Sequence, residues 1–380
     1  MQINRSLLAA LSVSSAPMLA AAAPSQHVHA RDASTYQANA ETALDRLQTW
    51  YSEDSGLWTS YSNGWWQSAN QLTTVIDMAQ LGSSKAQQLA EHVVPNTFRQ
   101  AAINNENREH TGRNPYINDY YDDMGWWAMA WIRAYDLTQN TTYLTTAEDL
   151  FNDMRYGWTT KCTPDGGLWW DKENTFIAPI SNTLFIEVAG SLANRVAWRK
   201  DYYTMWARNA WNWLSTSVLY AADQHLLMGS IKASTCVQNE RPDSFTYSHG
   251  ALVGGLIELS SATGETKYTD EAHLVAGAVL DSMTKDGVLY EQNIDNEHPG
   301  ESAPQFKGVF MRALSSLNAQ SPKTEYKTLA QKSADSIWEN DRDSEGNLGP
   351  DWNGPFFGSG NASPHSSAMD AIVFAWKASQ

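Results

Sequence analysis

The stretch "YSHGALVGGLIELSSATGETKYTDEAHLVAGAVLDSMTKDGVLY", Tyr247–Tyr290, reads as one helical hairpin and the turn that follows it. Its first part, "GALVGGLIELSSA", is apolar nearly all round, the pattern of a helix buried on every side. The second part carries Tyr268 and Ala272 four residues apart on a more polar stretch of helical periodicity. The turn "DGVLY" then ends the unit. A buried helix alternating with a half-exposed one predicts two layers of helices.

Working outward, the Tyr–Ala pair recurs at Tyr36/Ala40, Tyr143/Ala147, Tyr203/Ala207 and Tyr326/Ala330, with successive spacings of 60, 65 and 58 residues from Tyr143 onward. Tyr36 and Tyr143 are 107 residues apart, close to two periods, and "SSKAQQLAEHVVPNTF" lies midway as a degenerate copy. The turns "DSGLW", "DGGLWW" and "EGNLG" follow several pairs. After the turns, more apolar helices are expected to begin near Trp65, Asp122, Ser181, Tyr247, Gln305 and His365. Such a period marks a repeat architecture. Six hairpins closed into a ring give an all-α (α/α)6 barrel of six inner and six outer helices. An open solenoid would carry a polar-faced capping repeat, and none is evident. In the alternating barrel every inner helix runs the same way, so six inner N-termini share one face and a cleft should form there.

Composition narrows what the cleft serves. Across 380 residues Lys and Arg number 26 and Asp and Glu 42, a net charge of −16. That balance argues against nucleic acid or an anionic membrane as partner. Seventeen Trp and sixteen Tyr suit sugar-binding surfaces, where ring faces cover sugar C–H patches. The opening "MQINRSLLAALSVSSAPMLAAAAP" has the charge of Arg5, an interrupted apolar stretch and small residues at Ala22 and Ala23, so residues 1–23 are expected to be a secretory signal and 24–380 one catalytic domain. No later segment is apolar for long enough to span a bilayer, and "AIVFAWKASQ" lacks the tail of a lipid-anchor signal. A secreted, extracellular or wall-associated monomer is expected. Cys162 and Cys236 then fit one disulfide, and Asn140 and Asn361 head glycosylation acceptor triplets.

The chemistry concentrates at Asp122 and Asp123. One aspartate at a helix start is ordinarily a cap, but Tyr120, Tyr121, Trp126 and Trp127 surround this pair with water-excluding rings. Retaining glycosidases hold their two carboxyls ~5–5.5 Å apart and inverting ones ~6.5–9.5 Å, so adjacent aspartates fit the shorter range. One ionised member raises the pKa of the other, which keeps its proton as an acid; spacing leaves open which is which. The histidines (His92, His110, His225, His249, His273, His298 and His365) are scattered without metal-ligand spacing, and no phosphate loop, dinucleotide fingerprint or G-x-S-x-G elbow occurs. No metal and no cofactor is expected. Around the rim, Trp65, Trp66, Trp169, Trp170 and Trp352 are candidates for sugar stacking. Tyr121, Trp126, Asn182, Tyr247, His249, Gln305, Phe306, Lys307 and Asp351 are candidates for further substrate contacts. Trp131, Trp198, Trp206, Trp211, Trp213, Trp338 and Trp376 lie within helices and are assigned to packing.

Taken in order, "YYDDMGWWAMAWIRAYDLT", "GGLWWD", "ISNTLFIEVAGSLA", "YSHGALVGGLIEL" and "QFKGVFMRAL" resemble glycoside hydrolase family 76, the endo-α-1,6-mannanases, over nearly all of the chain after the signal. The resemblance implies an (α/α)6 fold and cleavage of α-1,6-mannan with retention of configuration. It also implies Asp122 as nucleophile and Asp123 as acid/base, with no cofactor. Where bacterial members often carry Tyr-Asn-Gln-Gly, this chain has Tyr247-Ser248-His249-Gly250. Some fungal relatives are lipid-anchored wall proteins thought to act as transglycosidases, which makes mannan or glycolipid-linked glycan remodelling the alternative activity; a non-catalytic glycan-binding module leaves the aspartate pair without a purpose.

Overall fold

The chain forms twelve helices among the residues that the structure, a computed structural model, describes: 31–59, 64–105, 113–239, 243–291 and 301–380. In order they are α1 (Ala33–Gln48), α2 (Trp65–Gln80), α3 (Ser84–Ile103), α4 (Tyr121–Thr138), α5 (Thr141–Met154), α6 (Pro179–Arg195), α7 (Lys200–Leu214), α8 (Thr246–Thr263), α9 (Lys267–Ser282), α10 (Phe306–Gln320), α11 (Thr324–Asn340) and α12 (Ala362–Ala378). Even-numbered helices form the inner layer. Each packs against the next, and α12 returns to α2, so the ring closes as an (α/α)6 barrel. The inner helices begin within three residues of the expected positions. The signal expected over residues 1–23 lies outside the described residues, and residues 31–380 form one compact unit. Among the described residues no helix is long and apolar enough to cross a membrane.

Local chemistry sets the helix ends. Asp32, Ser83, Asn140 and Asn361 each cap a helix by accepting a backbone N–H from its first turn. Gly264, at φ 74°, ends α8 in the left-handed conformation that glycine adopts without a Cβ penalty. Closing the ring requires α10, α12 and α2 to meet, and a buried polar group joins them. Arg312 on α10 donates to Asp370 on α12 and to Asn70 on α2, while Thr74 donates to the other Asp370 oxygen at 2.8 Å.

The Tyr–Ala repeat has a physical reason. All five tyrosines and their alanines are buried, each alanine leaving room for a neighbouring helix. Three of the hydroxyls tie adjacent outer helices together. Tyr36 donates to Asp335 at 3.1 Å and Tyr203 to Glu148 at 2.6 Å, and Tyr326 lies 2.7 Å from His273 Nδ1. The degenerate copy in α3 keeps only the small residues, Ala86 and Ala90, both buried. One packing assignment is corrected: Trp198 is 80% exposed, on a short 3-10 turn before α7 with the Arg199 guanidinium 5.3 Å from its ring.

Among the described residues, short strands are confined to the turns. The largest sheet has three, Phe176–Ile177, Ile231–Lys232 and Val237–Gln238. Cys162 and Cys236 are joined in a disulfide, with Cα atoms 4.9 Å apart, and tie the α5–α6 connection to this sheet's hairpin. Removing a strut should loosen the outer layer alone. Tyr203→Phe, which leaves the Glu148 carboxylate without its hydroxyl donor, is expected to cost about 1–3 kcal/mol in chemical denaturation while leaving the far-UV circular dichroism unchanged.

Candidate active site

Residues from the N-terminal turns of five inner helices line one cleft of about 660 Å³: Trp66 of α2, Asp122, Asp123 and Trp126 of α4, Pro179 and Ile180 of α6, Tyr247 and Ser248 of α8, and Phe306 of α10. That volume suits a small-molecule or oligosaccharide segment. Rings make up much of its wall. Tyr247 stacks on Phe306 with centroids 3.7 Å apart and planes at 9°, and Trp126 lies between Tyr247 and Trp66 at 6.3 and 6.1 Å. A further ring, Trp170, packs between Tyr120 and Phe176.

The two aspartates sit half-buried among these rings in the first turn of α4. Two main-chain bonds bring the "GGLWW" turn to them: Tyr121 N–H donates to the Trp170 carbonyl and Lys172 N–H to the Asp119 carbonyl, both at 2.9 Å. The Trp170 indole N–H then donates to Asp122 Oδ2 at 2.9 Å, and the Asp123 backbone N–H donates to Asp122 Oδ1 at 3.0 Å. Asp123 receives one side-chain donor, the Asn118 amide, at 2.8 Å. These differences separate the pair. Burial pushes Asp122 up to about 6, an effect restrained by the Trp170 donor. Burial pushes Asp123 well above the usual carboxylate range, and the Asp122 charge pushes it further. Asp122 is therefore the member that ionises first and Asp123 the member that keeps its proton.

Of the contacts expected from sequence, Trp66, Trp126, Trp170, Tyr247 and Phe306 reach the cleft with the aspartates. Nine others do not line it. Trp65 is buried, donates from its indole to the Ala101 carbonyl at 2.9 Å and stacks with Tyr116. Tyr121 packs against Gly157, where any Cβ would lie 2.6 Å from its ring. Trp169 is buried in the turn that carries Trp170, its backbone bridged to Ile177. Gln305 accepts from Ser366 at 3.1 Å. Lys307 donates to the Pro350 carbonyl at 2.7 Å and lies over the fully buried Trp352 ring, and Asp351 accepts the Asn353 N–H within its own turn.

Asn182 and His249 are corrected for a shared reason. Each is the fourth residue of an inner helix and receives a backbone N–H from the turn before it. Leu168 N–H donates to Asn182 Oδ1 at 2.8 Å and Leu227 N–H to His249 Nε2 at 2.9 Å. Ser68 of α2 and His365 of α12 stand in the same place and accept from Trp58 and Leu348, both at 3.0 Å. Because His249 must accept at Nε2, its Nδ1 donates to the Phe245 carbonyl, and burial holds its pKa down at about 4. These side chains latch turns to helices.

Tyr120, expected as a ring beside the pair, does line the cleft; sequence reading missed Asn118, which touches Asp123, as well as Phe176, Glu301, Ser302 and the segment before α8, which supplies Leu227, Gly229, Ser230, Asn239, Asp243 and Phe245 to the cleft. Of these only Asn118 had a signal, its closeness to the aspartates. Among the described residues no group of His, Cys, Asp and Glu is arranged to hold a metal ion.

An (α/α)6 barrel whose inner N-termini gather rings around a carboxylate pair has the parts that glycoside hydrolysis needs. The sequence profile of glycosyl hydrolase family 76 matches residues 33–375, and the chain belongs to that family. No curated protein sequence matches it. Among solved structures it is similar to the GH76A α-1,6-mannanase from Salegentibacter sp. HEL1_6, at 24% identity over 90% of this chain and 98% of that one, with a TM-score of 0.77. An inactive variant of that enzyme in complex with α-1,6-mannotriose is similar at 22% identity over 90% and 99%, with a TM-score of 0.75. Dfg5 from Chaetomium thermophilum, in complex with glucosamine, shares 17% identity over 93% and 92%, with a TM-score of 0.79.

The raised carboxyls carry a stability consequence. Their folded-state pKa values lie above the unfolded value of ~3.9, so the native state binds more protons and loses stability as pH rises from about 4 through the folded values. Asp123→Asn, which removes a carboxyl that stays protonated in the fold but ionises in the unfolded chain, is expected to raise unfolding free energy by at least ~1 kcal/mol at pH 7 and by much less at pH 4.5, measured by urea denaturation.

Proposed function

We propose that this family 76 chain is an endo-acting hydrolase of α-1,6-linked mannan that works with retention of configuration through a glycosyl–Asp122 intermediate. The observation that carries the reading is the unequal donor set on the pair. Both Asp122 oxygens accept N–H groups, which suits a carboxylate that must be ionised to attack. Asp123 has one donor and a neighbouring negative charge, which suits a proton held for delivery. In the first step Asp122 attacks the anomeric carbon while Asp123 protonates the departing sugar oxygen. In the second, Asp123 deprotonates water, which displaces Asp122.

The rings give the substrate its place. Trp66, Trp126, Trp170, Tyr247 and Phe306 offer faces and edges to sugar C–H surfaces along the cleft wall. The mannan specificity is supported by the α-1,6-mannanases among the similar folds. Secretion is part of the proposal, supported by the disulfide, which persists in oxidising compartments. At Asn140, the exposed one of the two proposed glycosylation positions, capping uses the side-chain oxygen and leaves the amide nitrogen for a glycan; at Asn361 the side-chain oxygen caps α12.

Purified protein incubated with linear α-1,6-mannan is expected to release short manno-oligosaccharides whose first-formed anomer is α by proton NMR, and Asp122→Asn to be slower by about 10⁴-fold or more. Products longer than the substrate when an acceptor oligosaccharide is added would mean transfer instead. Inertness of the folded wild type would sink the mannanase reading.

A further inference from the structure

Asn118 holds Asp123 in an orientation that its own partners determine. It is fully buried. Its Oδ1 accepts the Tyr120 backbone N–H at 3.1 Å, closing a turn of the Asx type, and its Nδ2 donates to Asp123 Oδ2 at 2.8 Å. Flipping the amide would set its NH₂ against the Tyr120 N–H, an obligate donor, so that backbone contact fixes the assignment. An amide NH₂ has no acceptor capacity. Asp123 Oδ2 is therefore committed to accepting, and the proton of the acid goes to Oδ1. Asp123 lines the cleft, and no described residue takes up Oδ1.

We propose that Asn118 is the positioning residue of the acid/base: by reserving Oδ2 as an acceptor, it makes Oδ1 of Asp123 the oxygen that carries the transferable proton. The inference rests on the acid/base reading of Asp123. In the first step the Oδ1 proton passes to the glycosidic oxygen as the bond from that oxygen to the anomeric carbon breaks. The bonding pair stays with the leaving oxygen, and an Asp122 oxygen forms the new bond to carbon. In the second step Oδ1 takes a proton from water as the water oxygen bonds to carbon, and the electrons of the carbon–Asp122 bond return to Asp122. Asn118 serves both steps, because the same N–H stabilises Asp123 while it is ionised between them.

The test compares two leaving groups. α-1,6-Mannotetraose departs as a sugar alkoxide that needs a proton, whereas a dinitrophenyl α-mannobioside departs as a stable phenolate that does not. Asn118→Ala is expected to lose about 10²-fold in kcat/KM on the tetraose and to be nearly unchanged on the dinitrophenyl glycoside. The basic limb of its kcat/KM–pH profile should move upward, because the ionised acid has lost a donor. Asn118→Asp, the same size and still able to accept the Tyr120 N–H, is expected to give the same substrate split with a larger upward move, since a second carboxyl then faces Asp123. It stands in if the alanine variant does not fold. Equal losses on both substrates with an unmoved basic limb would overturn the proposal and leave Asn118 a structural residue. A wild type inert on the tetraose would instead mark failure of the mannanase reading itself.

Discussion

Closure of the inner ring is the constraint on which the rest of the molecule depends. A helix in that ring touches two inner neighbours and an outer layer, so it must be apolar almost all round, as α8 is. Alternation with outer helices then gathers the inner N-termini at one end, and the cleft is the space between them. The chemistry inherits its position from topology. Asp122 and Asp123 meet the cleft at a helix start because the ring places helix starts around it, and the positive end of α4 favours one of the two as a carboxylate.

A second regularity lies beneath the first. Four inner helices place a polar side chain at their fourth residue, Ser68, Asn182, His249 and His365, and each accepts a backbone N–H from the preceding turn. A buried unpaired N–H would cost about 1–3 kcal/mol, so each latch fixes where its turn sits. Through Leu168, the Asn182 latch also sets the turn that carries Trp170 to Asp122. Polar residues at inner helix starts thus divide into two kinds, those facing the cleft and those facing back to a turn.

That division explains what was legible in the sequence. The helix period, the layer of each helix and the aspartate pair could be read, because periodicity and local charge are written along the chain. Asn182 and His249 looked like substrate contacts for the same reason they serve as latches: both are polar groups at the rim. One helix position decides between the roles, and 100° of rotation separates it from the next. Leu227, Ser230, Asn239 and Phe245 left no trace, since they belong to an irregular connection whose place comes from sheet pairing and the Cys162–Cys236 bridge.

The central claim is that Asp122 forms the covalent bond and Asp123 moves the proton. Its most direct test is mass mapping of the peptide that spans Tyr116–Thr138 after reaction with an activated α-mannobioside fluorinated beside the anomeric carbon, which slows release of the intermediate. A glycosyl label on Asp122 is the predicted result. A label on Asp123, or turnover of natural substrate to a first-formed β-anomer, would contradict the account.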